Sequence, residues 1–342
     1  ETHFQATEMF LQACEDKPFF LMANIGNTHR PFARHTRGIP VPRVDPNAIE
    51  VPANLPDTAL LRRDLAQYLT AVQCADACVG QILQALRNAG RYERTLIIFT
   101  SDQGYCYHRA KATAYDMGLH VPLIVVAPGR WPAGARVSAP VSLVDIVPTL
   151  LELTGQALLP DLDGRSLSGL VEGRTGAARW LPLESEFGFS SFGWAPLTGL
   201  TDGRQKWIGA PEPELYDLAS DPRETRNLAR ERPDERDRLA SLWRERVTED
   251  RRSPLDPSDP EAPERLARLA ALGYVTTPAG ASRDDEDLPD PKRAMGDLNT
   301  INRALGLIDS GRVSDAERIL VQLTRRSPRN HSALVLLGSA RL

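Results

Sequence analysis

Asp102 and Gln103 set a carboxylate and an amide oxygen side by side, after the run Thr95-Leu96-Ile97-Ile98-Phe99-Thr100-Ser101 and before Gly104. A β-branched and aromatic run that stops at Asp-Gln-Gly predicts a buried strand whose C-terminal end delivers both oxygens into a loop, where open α/β sheets gather their chemistry. Two adjacent hard-oxygen donors suit a cation such as Ca²⁺, but that ion takes six to eight oxygens, so the pair accounts for part of a shell only. Nine positions beyond Asp102 stands Lys111, a compact positive charge, and between them His108 and Arg109 can each meet an anion. His29, which follows the apolar stretch 18–24, carries an imidazole, a side chain suited to hydrogen bonding or proton transfer. Each has a plainer reading when taken alone: Asp-x-Gly turns a chain, and a loop Lys, Arg or His is most often simply solvated.

Strands and helices must hold these groups. Leu123-Ile124-Val125-Val126-Ala127 predicts a second core strand, so two strand ends bracket Asp102, Gln103 and Lys111. Leu61, Leu65, Tyr68, Leu69, Val72, Val79, Ile82, Leu83 and Leu86 recur at helical spacing and predict a long helix ending near Gly90. Helix followed by strand implies an α/β body with a largely buried sheet, while the proline-rich residues 31–56 read as a surface excursion over the site. Beyond Gly155, residues 180–183, 194–200, 205–208 and 215–218 are closely spaced strand candidates, which predicts a smaller antiparallel subdomain. Residues 233–273, rich in Arg and Glu with leucines at helical intervals, read as solvated helices. The acidic, proline-containing residues 279–292 read as a linker. Ala304 and Gly338 lie 34 apart, with Leu307, Ala316, Leu320 and Pro328 at the offsets of a tetratricopeptide (TPR) unit. The expected domains are 1–175, 176–275, a linker over 276–293, and TPR-like helices over 294–342.

In this order the motifs resemble the sulfatases of the alkaline-phosphatase superfamily. There a strand ends in Asp-Asn-Gly, Asp-His-Gly or Asp-Gln-Gly, and a lysine opens a Lys-x-x-x-Tyr-(Asp/Glu)-x-Gly-x-x-x-Pro segment, which Lys111, Tyr115, Asp116, Gly118 and Pro122 match here. The short spacing from Asp102 to Lys111 is most similar to the sulfamidase-like and bacterial arylsulfatase-like branch. Pro18-Phe19-Phe20-Leu21-Met22-Ala23-Asn24 with His29-Arg30-Pro31-Phe32 resembles the family's strand and substrate-site histidine. Residues 141–155, Asp163-Gly164-Arg165-Ser166-Leu167 and 214–228 extend the resemblance across roughly residues 3–230. It implies an α/β fold: a partial alkaline-phosphatase-like core, a small antiparallel C-terminal subdomain, then the α-helical TPR segment. Asp102 and Gln103 are implied to bind Ca²⁺, and Lys111 to hold a sulfate oxygen and stabilise the charge on the bridging atom as it leaves. His29 is implied to hydrogen-bond the sulfate or protonate the leaving group, with His108 and Arg109 as substrate contacts. Such enzymes attack sulfur with a formylglycine made from cysteine in a Cys-x-Pro-Ser-Arg motif. None of Cys14, Cys74, Cys78 and Cys106 stands in that context, and the nucleophile and the remaining carboxylates are expected upstream of this chain.

The other residues narrow the field. A net charge of −4 and 42% apolar content are those of a globular protein with no electrostatic signature for nucleic acid or an anionic membrane. No apolar run approaches the ~20 residues that span a bilayer. Four cysteines do not make a disulfide scaffold; Cys74 and Cys78, one turn apart, read as core. Glu184 and Glu186 sit two apart on a predicted strand and read as structural. The first residues carry neither Met nor a leader pattern, so more sequence is expected ahead of them. The implied partners are a sulfated sugar or aryl sulfate in the periplasm or outside the cell, and a protein bound by the helical repeats. Two alternatives stay open: a phosphate-ester hydrolase with a Ser or Thr nucleophile, and a catalytically inactive platform for the repeats.

Overall fold

The structure, a computed structural model, describes residues 3–32, 36, 38–52, 55–174, 179–246 and 287–341. The chain divides into two compact units, one made of Glu1–Lys111 and Tyr115–Ala177, the other of Ala112–Ala114 and Ala178–Leu342.

In the first unit helix α1 (His3–Ala13) packs against α2 (Ala59–Asn88). Thr58 starts α2 by accepting a hydrogen bond from the Leu61 amide, and Gly90, at φ +65°, turns the chain out beyond its end. The buried face of α2 carries Leu65, Ala66, Thr70, Ala71, Cys74, Cys78, Ala85 and Leu86, so the cysteine pair is core as expected, and burial pushes both thiols up. Leu69 and Val72, part of the predicted stripe, remain more than a third exposed. Within residues 31–56 the described positions include a 3₁₀ turn, Pro46–Ala48, and Phe32, Ile49 and Leu55 are buried. Ile49 and Leu55 pack on Leu65 and Ala66, so the excursion is anchored by its apolar residues.

Strand β1 (Ile97–Thr100), short helix α3 (Asp116–Leu119) and strand β2 (Leu123–Val126) follow, and β1 pairs with β2 in antiparallel register, Ile97 opposite Val126 and Thr100 opposite Leu123. This corrects the expectation of a largely buried sheet: Phe99 and its register partner Ile124 are 41% and 56% exposed, since no described element covers that face. Residues 18–24 are not a strand either. Phe19 and Leu21 are half-buried, Phe20 and Met22 are exposed, and without a neighbouring strand among the described residues their backbone forms no ladder.

Helix α4 (Ile146–Leu153) is set by Asp145, which is fully buried and accepts from the amides of Ser142 at 2.8 Å and Arg165 at 2.9 Å. Thr149 on α4 accepts from the Leu167 amide at 2.9 Å just ahead of α5 (Ser168–Val171). The Asp-Gly-Arg motif passes so close that a Cβ on Gly164 would fall 1.9 Å from the Val144 carbonyl oxygen, which explains why glycine occupies it.

The second unit is built on an antiparallel meander of β3 (Leu181–Ser185), β4 (Leu197–Thr201), β5 (Gln205–Gly209) and β6 (Glu214–Asp217), with α6 (Phe187–Phe192) between β3 and β4. Asp202 makes the β4–β5 turn by accepting from the amides of Arg204 and Gln205, and Gly203 there has φ +83°. Glu184 lies in β3 opposite Thr198, whereas Glu186 lies beyond the strand at the start of α6, so the two are not a same-face pair on one strand. Helix α7 (Pro233–Arg246) places Leu239, fully buried, on Trp207, Leu215, Leu228 and Ala229. The rest of the helical expectation, 247–273, lies outside the described residues, as do 276–286 of the linker. The end of that linker is docked: Pro289 accepts from the Ala195 amide, and buried Asp290 accepts from the Glu212 amide. Helices α8 (Pro291–Asp309), α9 (Val313–Arg326) and α10 (His331–Arg341) bury Ala304, Ala316, Leu320, Leu323 and Ala333 in one cluster with Phe192 and Trp194. The helical segment therefore shares a core with the sheet subdomain.

Candidate functional site

β1 ends at Thr100, and the chain turns at once. Ser101 Oγ donates to the Gln103 carbonyl oxygen at 2.8 Å, and the Gly104 amide donates to the Gly118 carbonyl oxygen at 2.8 Å. The second bond demands glycine, because a Cβ at 104 would stand 1.8 Å from the Met117 carbonyl oxygen and 2.9 Å from the Gly118 Cα. The residue after Gln103 thus touches the segment just ahead of β2, and this contact sets where Asp102 and Gln103 emerge. The Asp102 side chain is exposed, with Ser101 Oγ 3.5 Å from its Oδ1.

The loop between Gly104 and Lys111 folds back on itself. The Tyr105 carbonyl accepts from both the Tyr107 amide at 3.0 Å and the Lys111 amide at 3.1 Å, and Ala110 donates to the Tyr107 carbonyl. Arg109 and Ala112 adopt positive φ, +58° and +66°, which tightens the curl. Lys111 is therefore tied by its backbone to a residue three places beyond Asp102, and among the described residues no acceptor engages its ammonium. The Arg109 guanidinium is stacked 3.7 Å from the centroid of the Tyr115 ring, a contact that holds it to the loop. His108 is exposed on the same loop, and partial desolvation with the Arg109 charge beside it holds its pKa below the ordinary histidine value.

His29 is exposed at the end of a turn closed by its own amide on the Gly26 carbonyl, and its Nδ1 lies 2.7 Å from the Arg30 carbonyl oxygen. The link from this segment to the loop runs through residues that the spacing of motifs did not reveal. Arg30 donates both Nη atoms to Asp64 of α2, at 2.8 and 2.5 Å, and the Tyr107 hydroxyl donates to the same carboxylate at 2.7 Å. Tyr68, one turn further along α2, packs against the rings of Phe32, Tyr105 and Tyr107 at centroid distances of 5.5, 5.8 and 6.0 Å. Burial would raise the Asp64 pKa, but the bonds from Arg30 and Tyr107 and the Arg30 charge outweigh it and leave Asp64 below its usual value. Burial and the Asp64 bond push Tyr107 up, so its phenol stays a donor. Asp64 sits within the helical stripe with no motif around it. Its only signal in the sequence was a charged residue flanked by Leu65 and Tyr68 on the inward side.

As a cation site, the described residues supply Asp102 and Gln103 and no more: no group of three or more His, Cys, Asp or Glu side chains among them converges on one point. Two donors do not make a Ca²⁺ shell. Lys111, His108 and Arg109 lie on one loop of seven backbone-curled residues, and Arg30, the residue after His29, is bonded through Asp64 to Tyr107 of that loop.

A family model described as sulfatase matches residues 1–156, and one described as N-sulphoglucosamine sulphohydrolase, C-terminal, matches residues 105–252. Human N-sulphoglucosamine sulphohydrolase is 31% identical over 299 residues, covering 64% of this chain and 58% of that protein. Mouse arylsulfatase K is 35% identical over 189 residues, covering 49% of this chain and 33% of that protein. The chain therefore spans well under two thirds of these relatives' length. A Bacteroides thetaiotaomicron structure, from work on the metabolism of multiple glycosaminoglycans, has a TM-score of 0.56 at 20% identity over 72% of this chain and 54% of that one. The Bacteroides fragilis protein yidJ has a TM-score of 0.54 at 17% identity over 72% of this chain and 58% of its own. At such identities the two structures show a shared fold alone. Both family matches run through the loop that ends at Lys111, and the match over residues 1–156, to the sulfatase family, also takes in His29, Asp102 and Gln103.

Proposed function

We propose that the protein containing this chain hydrolyses the sulfate ester or N-sulfate of a sulfated sugar. The observation that carries the reading is the β1 exit: Gly104 is bonded to Gly118 and Lys111 to Tyr105, so a carboxylate, an amide oxygen and an ammonium that no acceptor engages among the described residues belong to one braced turn. The ammonium of Lys111 is suited to a sulfate oxygen, where its charge acts most strongly as negative charge builds on the leaving atom. His29, exposed and beside the anchored Arg30, is suited to hydrogen-bond the sulfate or return a proton to the leaving group. Arg109 and His108 are suited to the anionic sugar, Arg109 in the orientation that its stacking on Tyr115 fixes. N-sulfated glucosamine is the first substrate to test, given the human relative and the matching C-terminal family.

Ca²⁺ and the formylglycine nucleophile belong to the same proposal. Asp102 and Gln103 would give two of the metal's oxygen donors, the others and the nucleophile coming from sequence outside these 342 residues. The periplasm or cell exterior, where sulfated polysaccharides occur, is the proposed site of action. The helices α8 to α10 are proposed as TPR-like repeats with a protein partner, on the 34-residue spacing of Ala304 and Gly338.

The test is sulfate release by the full-length protein from N-sulfated and O-sulfated glucosamine and from aryl sulfates, with and without chelator. Chelator-sensitive release supports the reading. Phosphate-diester turnover without sulfate release would overturn it in favour of phosphoryl chemistry, and no turnover of either would favour an inactive platform. In an active enzyme Lys111→Ala is expected to lower kcat on the order of 10²-fold with metal content unchanged, whereas Gln103→Ala should show a loss that added calcium partly restores.

A further inference from the structure

We propose that Asp64 is a positioning residue that fixes His29 and the Lys111 loop relative to each other, with Arg30 and Tyr107 as its two arms. The inference rests on the sulfatase reading for its catalytic consequence and on geometry for everything else. Three segments far apart in sequence meet at this one carboxylate. Arg30, the residue after His29, reaches it with both Nη atoms, and Tyr107, four residues before Lys111, reaches it with its hydroxyl. A forked guanidinium on a carboxylate leaves little rotational freedom, and the third bond takes up a further lone pair of the same group. Rings close the arrangement: the Arg30 guanidinium lies 4.7 Å from the Phe32 ring centroid and 5.3 Å from that of Tyr107, and Tyr105 lies 5.1 Å from Tyr107.

The role follows from what each arm carries. His29 is exposed and held mainly by its own turn, and Lys111 is held by a backbone bond to Tyr105. Neither contact relates one to the other, and the Asp64 bonds do. α2 is long and partly buried, so it is the regular element against which both loop groups are referenced. Asp64, Arg30 and Tyr107 act through His29 and Lys111 and are positioning residues. Misplacement of a catalytic group by about 1 Å can cost up to 10²-fold in rate without loss of substrate affinity.

Two measurements test this, one independent of catalysis. In this chain, Asp64→Asn is expected to speed amide hydrogen exchange together at His29, Ala110 and Lys111, by at least tenfold, while the amides of α2 keep their protection. Tyr107→Phe, which keeps the ring packing, is expected to speed only Ala110 and Lys111. Unaltered exchange at both segments in Asp64→Asn would overturn the proposal, and so would exchange that rises equally along α2, since that reports loss of packing. In the full-length enzyme, Asp64→Asn is expected to lower kcat roughly tenfold with KM within about twofold, and Arg30→Lys and Tyr107→Phe are expected to combine less than additively because both act through one carboxylate. A kcat left intact despite faster exchange would also overturn the positioning role. If the full-length protein releases no sulfate at all, the functional reading fails, and the exchange measurement still decides whether Asp64 couples the two segments.

Discussion

Gly104→Ala concentrates the structural argument in one methyl group. The added Cβ would stand 1.8 Å from the Met117 carbonyl oxygen, against 3.4 Å for ordinary contact, so the two backbones must part by about 1.6 Å. Met117 and Gly118 are backbone neighbours there, so no side chain can swing aside to make room. A separation of that size carries the Gly104 amide out of reach of the Gly118 carbonyl, now 2.8 Å away, and strands a donor and an acceptor in a partly buried turn. Two unmet backbone groups cost roughly 2–4 kcal/mol, equivalent to a fall of about 4–16 °C in the melting temperature of a unit this size. Asp102 and Gln103, immediately before the turn, move with it. The control is Gly80→Ala, an exposed position inside α2 with nothing within 4 Å of the new Cβ, where alanine is expected to stabilise by about 1 kcal/mol. Denaturant unfolding of both variants, with amide exchange at Gly104, checks the pair. If Gly104→Ala unfolded at the wild-type midpoint with that amide still protected, the contact between the β1 exit and the Gly118 segment would not be what shapes the site.

Other consequences can be measured on the same material. Asp145→Ala removes a buried carboxylate that accepts from the amides of Ser142 and Arg165, so a loss of roughly 3–4 kcal/mol is expected in chemical denaturation, with most of it remaining in Asp145→Asn because one oxygen acceptor is lost. Lys206 and Glu224 are fully buried 2.8 Å apart; Lys206→Met should cost about 3–5 kcal/mol by stranding the carboxylate, and adding Glu224→Gln should recover part of it. Asp64 has a folded pKa below its unfolded value, so its contribution to stability is present above about pH 4 and is lost as pH falls through the folded value. Melting curves should therefore show wild type losing its advantage over Asp64→Asn on acidification below pH 4; an advantage constant across that range would contradict the assigned ion pair.

Local pattern fixed a good deal in advance. The helical spacing of Leu61, Leu65 and Leu86 with a Thr58 cap and a glycine stop is enough to set α2. The turn residues between short β-branched runs are enough to set the meander β3–β6. The order of the motifs around Asp102-Gln103-Gly104 and Lys111 carried the family. These are properties of neighbours in the chain, where propensity, capping and periodicity act over a few residues. Tertiary structure decided what depends on residues far apart. It paired β1 with β2 and left Phe99 and Ile124 open, because a strand's surroundings are set by which other strands reach it. The same dependence left the apolar run 18–24 without a strand partner among the described residues, since a ladder needs a partner that its own sequence cannot provide. It docked Pro289 and Asp290, in a stretch whose composition reads as a linker, because Ala195 and Glu212 offered amides that needed acceptors. And it brought Arg30 and Tyr107 to the Asp64 carboxylate, a meeting across 43 residues from Asp64 to Tyr107 that leaves no periodic trace, since a hydrogen bond between distant segments depends on where the backbone goes and not on spacing along it.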